Sequence, residues 1–89
     1  MEADLDEALR ALAHPARRAI LRLVWERELP AGAISDSLEL APATVSEHLK
    51  VLRKTGLVQM TASGTWRRYR AVPERMAEVA ELLRRFPDD

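Results

Sequence analysis

The chain has no cysteine among its 89 residues, which rules out disulfides, thiolate nucleophiles and cysteine-ligated zinc or iron–sulfur centres. Only two histidines, His14 and His48, are available as imidazole ligands or general bases. Three glycines are too few for a glycine-rich phosphate loop. No apolar run approaches the ~20 residues of a membrane-spanning helix, and the acidic start MEADLDE lacks the basic and then apolar order of a signal peptide. These absences predict a cytoplasmic protein with no membrane partner, no metal and no cofactor. An enzyme is not expected either, because no nucleophile, histidine and carboxylate stand at a workable spacing and little chain is left over to form a pocket. Ser46 beside His48 reads as two neighbouring positions on one helix, not as a catalytic pair.

What is present is a balance of charge that conceals an uneven distribution. Fourteen basic and fourteen acidic side chains cancel, and a zero total argues against a nucleic-acid binder built on bulk charge. By segment, however, residues 1–9 carry minus four, residues 41–72 carry plus five and residues 73–89 carry minus two. In the middle segment Lys50, Arg53, Lys54, Arg67, Arg68 and Arg70 face only Glu47 as an opposing charge. Phosphate binding responds to such local potential rather than to the molecular total.

Hydrophobic spacing lays out one small domain over residues 1–89. Leu5, Leu9 and Leu12 recur at helical spacing and predict a first helix from about Ala3 to Ala13. Proline at the first position of a helix sacrifices no hydrogen bond, so Pro15 opens a second helix expected to reach about Glu28, with Ile20, Leu21, Val24 and Trp25 turned inward. A short third helix follows from Ala31 to Leu38, and a fourth from Pro42 to a stop at Gly56. Two extended runs, Leu57 to Thr61 and Thr65 to Val72, flank the turn residues Ser63 and Gly64. Pro73 opens a last helix to about Phe86, with Met76, Val79, Leu83 and Phe86 in one stripe.

The fourth helix has two unlike edges. Val45, Leu49 and Leu52 form its apolar edge, opposite Ala43, Glu47, Lys50 and Lys54, with Thr44 and Ser46 flanking the outer face. A helix entering a major groove about 12 Å wide needs short side chains where it meets the bases and cations beside the phosphates. Ala43, Thr44 and Ser46 meet the first need, Lys50 and Lys54 the second. In the following ribbon Arg67 and Tyr69 alternate with Trp66, Arg68 and Arg70, so arginines emerge on both faces.

The segments ALAHPARRAILRLV, ATVSEHLKVLRKTGLV and GTWRRYRA, in this order and spacing, resemble the ArsR-type winged helix-turn-helix repressors of bacteria over nearly the whole chain. The resemblance implies a mainly α (α+β) fold of five helices, with a two-stranded β-hairpin wing between helices 4 and 5. It implies a homodimer that binds double-stranded DNA, with the fourth helix in the major groove and the wing beside the backbone. Ala43, Thr44, Ser46, Glu47 and Lys50 would then be recognition positions, and Ser63, Thr65, Arg67 and Arg68 wing contacts. The terminal helices, about 3–13 and 73–86, would form the dimer interface through Leu5, Leu9, Leu12, Met76, Val79, Leu83 and Phe86, two stripes more apolar than one small core needs.

Many members of that family sense metals. The third-helix positions that usually carry a cysteine pair are Pro30 and Gly32 here, and the last helix has Glu74, Glu78 and Glu81 but no histidine. The resemblance is therefore closest to the non-metal-sensing, autorepressor-like branch; an organic effector is neither indicated nor contradicted. Two departures concern the turn before the fourth helix. Glu39 stands where Gly or Asn is usual, at a stored strain of roughly 1 kcal/mol if φ is positive, and Ala41 replaces a capping Ser. The competing function is a winged-helix protein-interaction module, which the scarcity of aromatics on the fourth helix disfavours.

Overall fold

In a computed structural model the chain folds as α1 (Glu2–Leu12), α2 (Pro15–Leu23), α3 (Ala31–Leu38), α4 (Pro42–Lys54), β1 (Val58–Ser63), β2 (Trp66–Ala71) and α5 (Pro73–Arg84). The structure describes residues 2–87, with side chains from Leu5 onward; Met1, Asp88 and Asp89 of the expected domain lie outside the described residues. Five helices with a hairpin between the last two is the winged-helix order predicted above. No helix among the described residues is long and apolar enough to cross a membrane.

Three helices open on proline, at Pro15, Pro42 and Pro73, and the residue before each is extended, because a following proline disfavours helical geometry. None of these starts has a side-chain cap, so the caps contribute little and burial carries the helices. The core draws on every element except α1's leucines: Ile20, Leu21 and Val24 around α2, Ile34 on α3, Val45, Leu49 and Leu52 on α4, then Leu57, Val58, Ala71 and Val79. α1 enters this core through Ala8 and Ala11, while Leu5, Leu9 and Leu12 pack half-buried at its edge. The sequence pattern had marked the leucines; small residues allow the closer approach.

Two expectations need correction. α2 ends at Leu23, not near Glu28, and Trp25 is 37 % exposed instead of facing inward. The reason lies in Leu29, which is extended ahead of Pro30 and exchanges two backbone hydrogen bonds with Tyr69, 3.1 and 2.8 Å long. That bridge gives β2 a second neighbour beside β1, and it consumes residues a longer α2 would have needed. Val79, expected at the dimer interface, is buried in the subunit's own core, whereas Leu83 of the same helix and Phe86 in the turn beyond its end are 53 % and 68 % exposed.

Candidate nucleic-acid interface

α3 and α4 are joined by the three residues Glu39 to Ala41. Glu39 adopts φ 55°, ψ 42°, the left-handed conformation that ends a helix. Its N–H donates to Asp36 O at 3.4 Å and the N–H of Leu40 donates to Ser35 O at 3.1 Å, which is the Schellman arrangement. Ala41 precedes α4 without a capping side chain, as the sequence predicted.

At its other end α4 closes on a second Schellman motif. Gly56 has φ +78°, and the N–H groups of Gly56 and Leu57 donate to Arg53 O and Leu52 O at 3.1 and 2.9 Å. Arg75 of α5 lies against this exit, where its Nε donates to Thr55 O at 3.0 Å. A Cβ on Gly56 would stand 3.3 Å from that Nε. A cation here also complements the negative end of the helix dipole.

Between these stops α4 buries Val45, Leu49 and Leu52 and leaves Ala43, Thr44, Ser46, Glu47, Lys50 and Lys54 exposed. Among the described residues nothing covers this outer edge. His48, on the flank, is half-buried and accepts a 3.2 Å hydrogen bond at Nδ1 from Arg17 Nε. That bond requires an unprotonated Nδ1. Burial, then the charges of Arg17 and His14, hold this imidazole below the ordinary histidine value of 6.5, with Glu47 acting in the opposite sense.

The hairpin follows at once. β1 and β2 pair antiparallel from Val58↔Ala71 to Ser63↔Trp66, leaving Gly64 and Thr65 as the loop. Gly64 takes φ +60° at the first central position, where a type II′ turn needs glycine. On β2 Tyr69 and Ala71 face the domain, half-buried and buried, whereas Trp66, Arg67, Arg68 and Arg70 are exposed. Ser63 and Thr65 are exposed too, and Trp66 is 63 % open.

The positive charge on these two elements is unneutralised. Among the described residues Lys50, Arg53, Lys54, Arg67, Arg68 and Arg70 form no ion pair; Arg75–Glu78 at 3.5 Å and Arg84–Glu81 at 3.1 Å both belong to α5. Every predicted recognition and wing residue is thus solvent-facing, on α4 or on the hairpin. The Arg17 and Arg75 contacts that brace α4 were missed. HPARR shows arginines in the first turn of α2, but no spacing tells which of them turns toward α4, and Arg75 reads as one cation among the glutamates of α5.

Comparison with known proteins agrees with this architecture. The family described as bacterial regulatory protein, arsR family, matches residues 14–60. An uncharacterized HTH-type transcriptional regulator of Methanocaldococcus jannaschii is 35 % identical over 78 residues, 86 % of this chain and 88 % of that protein. An ArsR-like transcriptional regulator from a Rhodococcus species superposes with a TM-score of 0.86 at 27 % identity, covering 94 % of this chain and 79 % of that one. The homodimeric winged helix-turn-helix DNA-binding domain Mb0332 from Mycobacterium bovis superposes at 0.78, with 29 % identity and coverage of 97 % and 80 %.

Proposed function

Since the chain belongs to the arsR family of bacterial regulatory proteins, and so is a transcriptional regulator with a winged helix-turn-helix DNA-binding domain, we propose that it works as a two-fold homodimeric repressor occupying an imperfect palindrome in a promoter. In this reading α4 lies in the major groove with Ala43, Thr44, Ser46 and Glu47 toward base edges, and Lys50 and Lys54 beside phosphates. Ser63, Thr65, Arg67 and Arg68 of the wing meet the adjacent backbone, and Trp66 lies against its sugars. The observation that carries the reading is the uncovered outer edge of α4, short-chained at its start, cationic at its end, and free of ion pairs among the described residues.

The dimer is proposed to form through α1, α5 and the turn after α5, where Leu5, Leu9, Leu12 and Met76 are half-buried and Leu83 and Phe86 exposed. Two copies related by a dyad would set their α4 helices about one DNA turn apart, giving half-sites ~10 base pairs apart or a close multiple. Pro30 and Gly32 at the usual ligand positions support the non-metal-sensing branch.

Selection of bound sequences from a random DNA pool tests the whole proposal. Recovery of a palindrome with that spacing, bound in a salt-sensitive manner, is the expected result. A sequence without symmetry would reject the two-fold arrangement, and no retention at low salt would favour a protein-docking role instead.

A further inference from the structure

A helix with its side chains, about 10–12 Å across, fills a major groove about 12 Å wide, so the flanks of α4 would meet the groove walls, where the phosphates stand. The two flanks are unequally supplied with cations. Lys50 and Lys54 sit on the outer edge and Arg53 on the Ser46 side, all exposed. At about 100° per residue the opposite flank is formed by Thr44 and His48, one turn apart, and then by half-buried Val51. α4 places no lysine or arginine there. α2 supplies one instead: Arg17, half-buried, donates from Nε to His48 Nδ1 at 3.2 Å.

This arginine lacks an anion. Among the described residues its Nη groups make no hydrogen bond and it has no carboxylate partner, although a cation drawn out of water is costly unless paired. Its contact is with another basic group, which accepts only while Nδ1 is unprotonated and then carries its proton on Nε2. That Nε2–H also has no acceptor among the described residues. Apart from burial, the leading influence, the charges acting on His48 are Arg17 and exposed His14, both opposing its protonation, and Glu47 of α4, favouring it. Among the described residues no group of α1, α3 or β1, the other elements packed on α4, adds to these.

We propose that Arg17 and His48 form a clamp for one phosphate of the duplex backbone, on the groove wall beside Thr44, a contact that rests on the operator-binding reading. The Nε bond presets the guanidinium and leaves both Nη groups of its planar fork for phosphate oxygens, a charge-assisted pairing of the strong kind. An anion lying against both groups favours the imidazolium, so binding is coupled to uptake of a proton by His48 from solvent. Thr44 sets the register: with its side chain at a base edge, the adjoining backbone runs along the flank one turn further on.

Fluorescence anisotropy of labelled operator and random duplexes, read at several salt concentrations and at about pH 6 and pH 8, tests the clamp in the full chain. Arg17→Gln should weaken both duplexes by the same factor and lower the salt slope by about 0.9 per subunit. Arg17→Lys, which keeps the charge but not the fork, should retain the slope. Arg22→Gln, an exposed charge further along α2, should leave it unchanged. The parent chain should bind more tightly at the lower pH, and His48→Gln should flatten that dependence by up to one proton per subunit. Should Arg17→Gln fail to fold, the pH comparison of the parent with His48→Gln decides.

A salt slope that survives Arg17→Gln would leave Arg17 a brace alone and overturn the proposal, as would the same loss of slope in Arg17→Lys, or parallel pH curves for the parent and His48→Gln. Inorganic phosphate that saturates the His48 ring signals in NMR below about 1 mM would make this a free-anion site and overturn the duplex assignment. A parent chain that retains no duplex at low salt sinks the operator reading together with this one. A parent that binds its operator but shows any of the failures above loses this contact alone.

Discussion

The middle of the molecule and its ends handle apolar surface differently. Between α2 and the start of β1, Ile20, Val24, Ile34, Val45, Leu52 and Leu57 are fully enclosed. At the ends, among the described residues, α1 contributes two alanines to the enclosed core and α5 contributes Val79, while larger side chains such as Leu83 and Phe86 face water. The centre thus holds α4 in place with its own packing, and the ends carry surplus apolar surface that a single small domain has no use for. A domain of this size buries a modest share of its surface alone, so the surplus is best understood as the proposed subunit contact.

Substitutions should separate the two regions cleanly. Leu52→Ala removes a fully enclosed side chain from the buried edge of α4 and is expected to cost about 3 kcal/mol in urea unfolding, taking DNA binding with it. Leu83→Asp changes an exposed position, so the fold should survive while the sedimenting species falls from dimer to monomer. If Leu83→Asp unfolded the protein instead, the ends would belong to the core and the contrast would fail.

Within the proposed DNA surface the contrast lies between α4 and the wing. Replacing Glu47 or Ser46 by Ala should change the preferred sequence, with discrimination at the affected base pair moving by about 1–3 kcal/mol. Arg67→Ala or Arg68→Ala should weaken specific and random DNA alike and reduce the salt slope by about one counterion each. Gel shifts at several salt concentrations would read both effects. A uniform loss from the α4 variants would move base recognition off that helix.

The regular parts of this architecture were readable from residue spacing. The edge Val45, Leu49, Leu52 gave the orientation of α4, and Pro15, Pro42 and Pro73 gave three helix starts. Periodicity failed where a backbone bond over long range decided the outcome. Leu29 pairs with Tyr69, forty residues on in the chain, and nothing local distinguishes that from a longer α2. It failed again in α1, where the pattern reports which face is apolar but not how near the backbone approaches, so the leucines were ranked above Ala8 and Ala11. The bracing contacts of Arg17 and Arg75 depend on side-chain direction, which charge patterning does not encode.

Glu39 offers a smaller test of the centre. Its left-handed conformation is observed, and such a conformation costs a residue with a Cβ roughly 1–2 kcal/mol. Glu39→Gly removes that cost but adds freedom to the unfolded chain, so a net gain of somewhat under ~1 kcal/mol is expected in thermal unfolding. A loss of stability would mean that the Glu39 side chain contributes more to the turn than its backbone costs.

The smallest effect should come from pH, through the hydrogen bond that ties α2 to the flank of α4. His48 accepts from Arg17 and is held below the ordinary value of 6.5, chiefly by burial. In the unfolded chain its imidazole takes up a proton at the ordinary value, while in the folded chain the same proton binds only at lower pH. The unfolded state therefore binds more protons in that interval, and stability must decline as pH falls. The contribution is fully present above about 6.5 and is lost as pH falls through the lowered folded value. Once protonated, Nδ1 also stops accepting from Arg17, so the brace opens together with the loss. His48→Gln retains an acceptor without the titration, and its stability should vary less between neutral and mildly acidic pH than that of the parent chain. Parallel curves for the two proteins would assign the acid sensitivity to other groups and leave the Arg17 contact a purely geometric one.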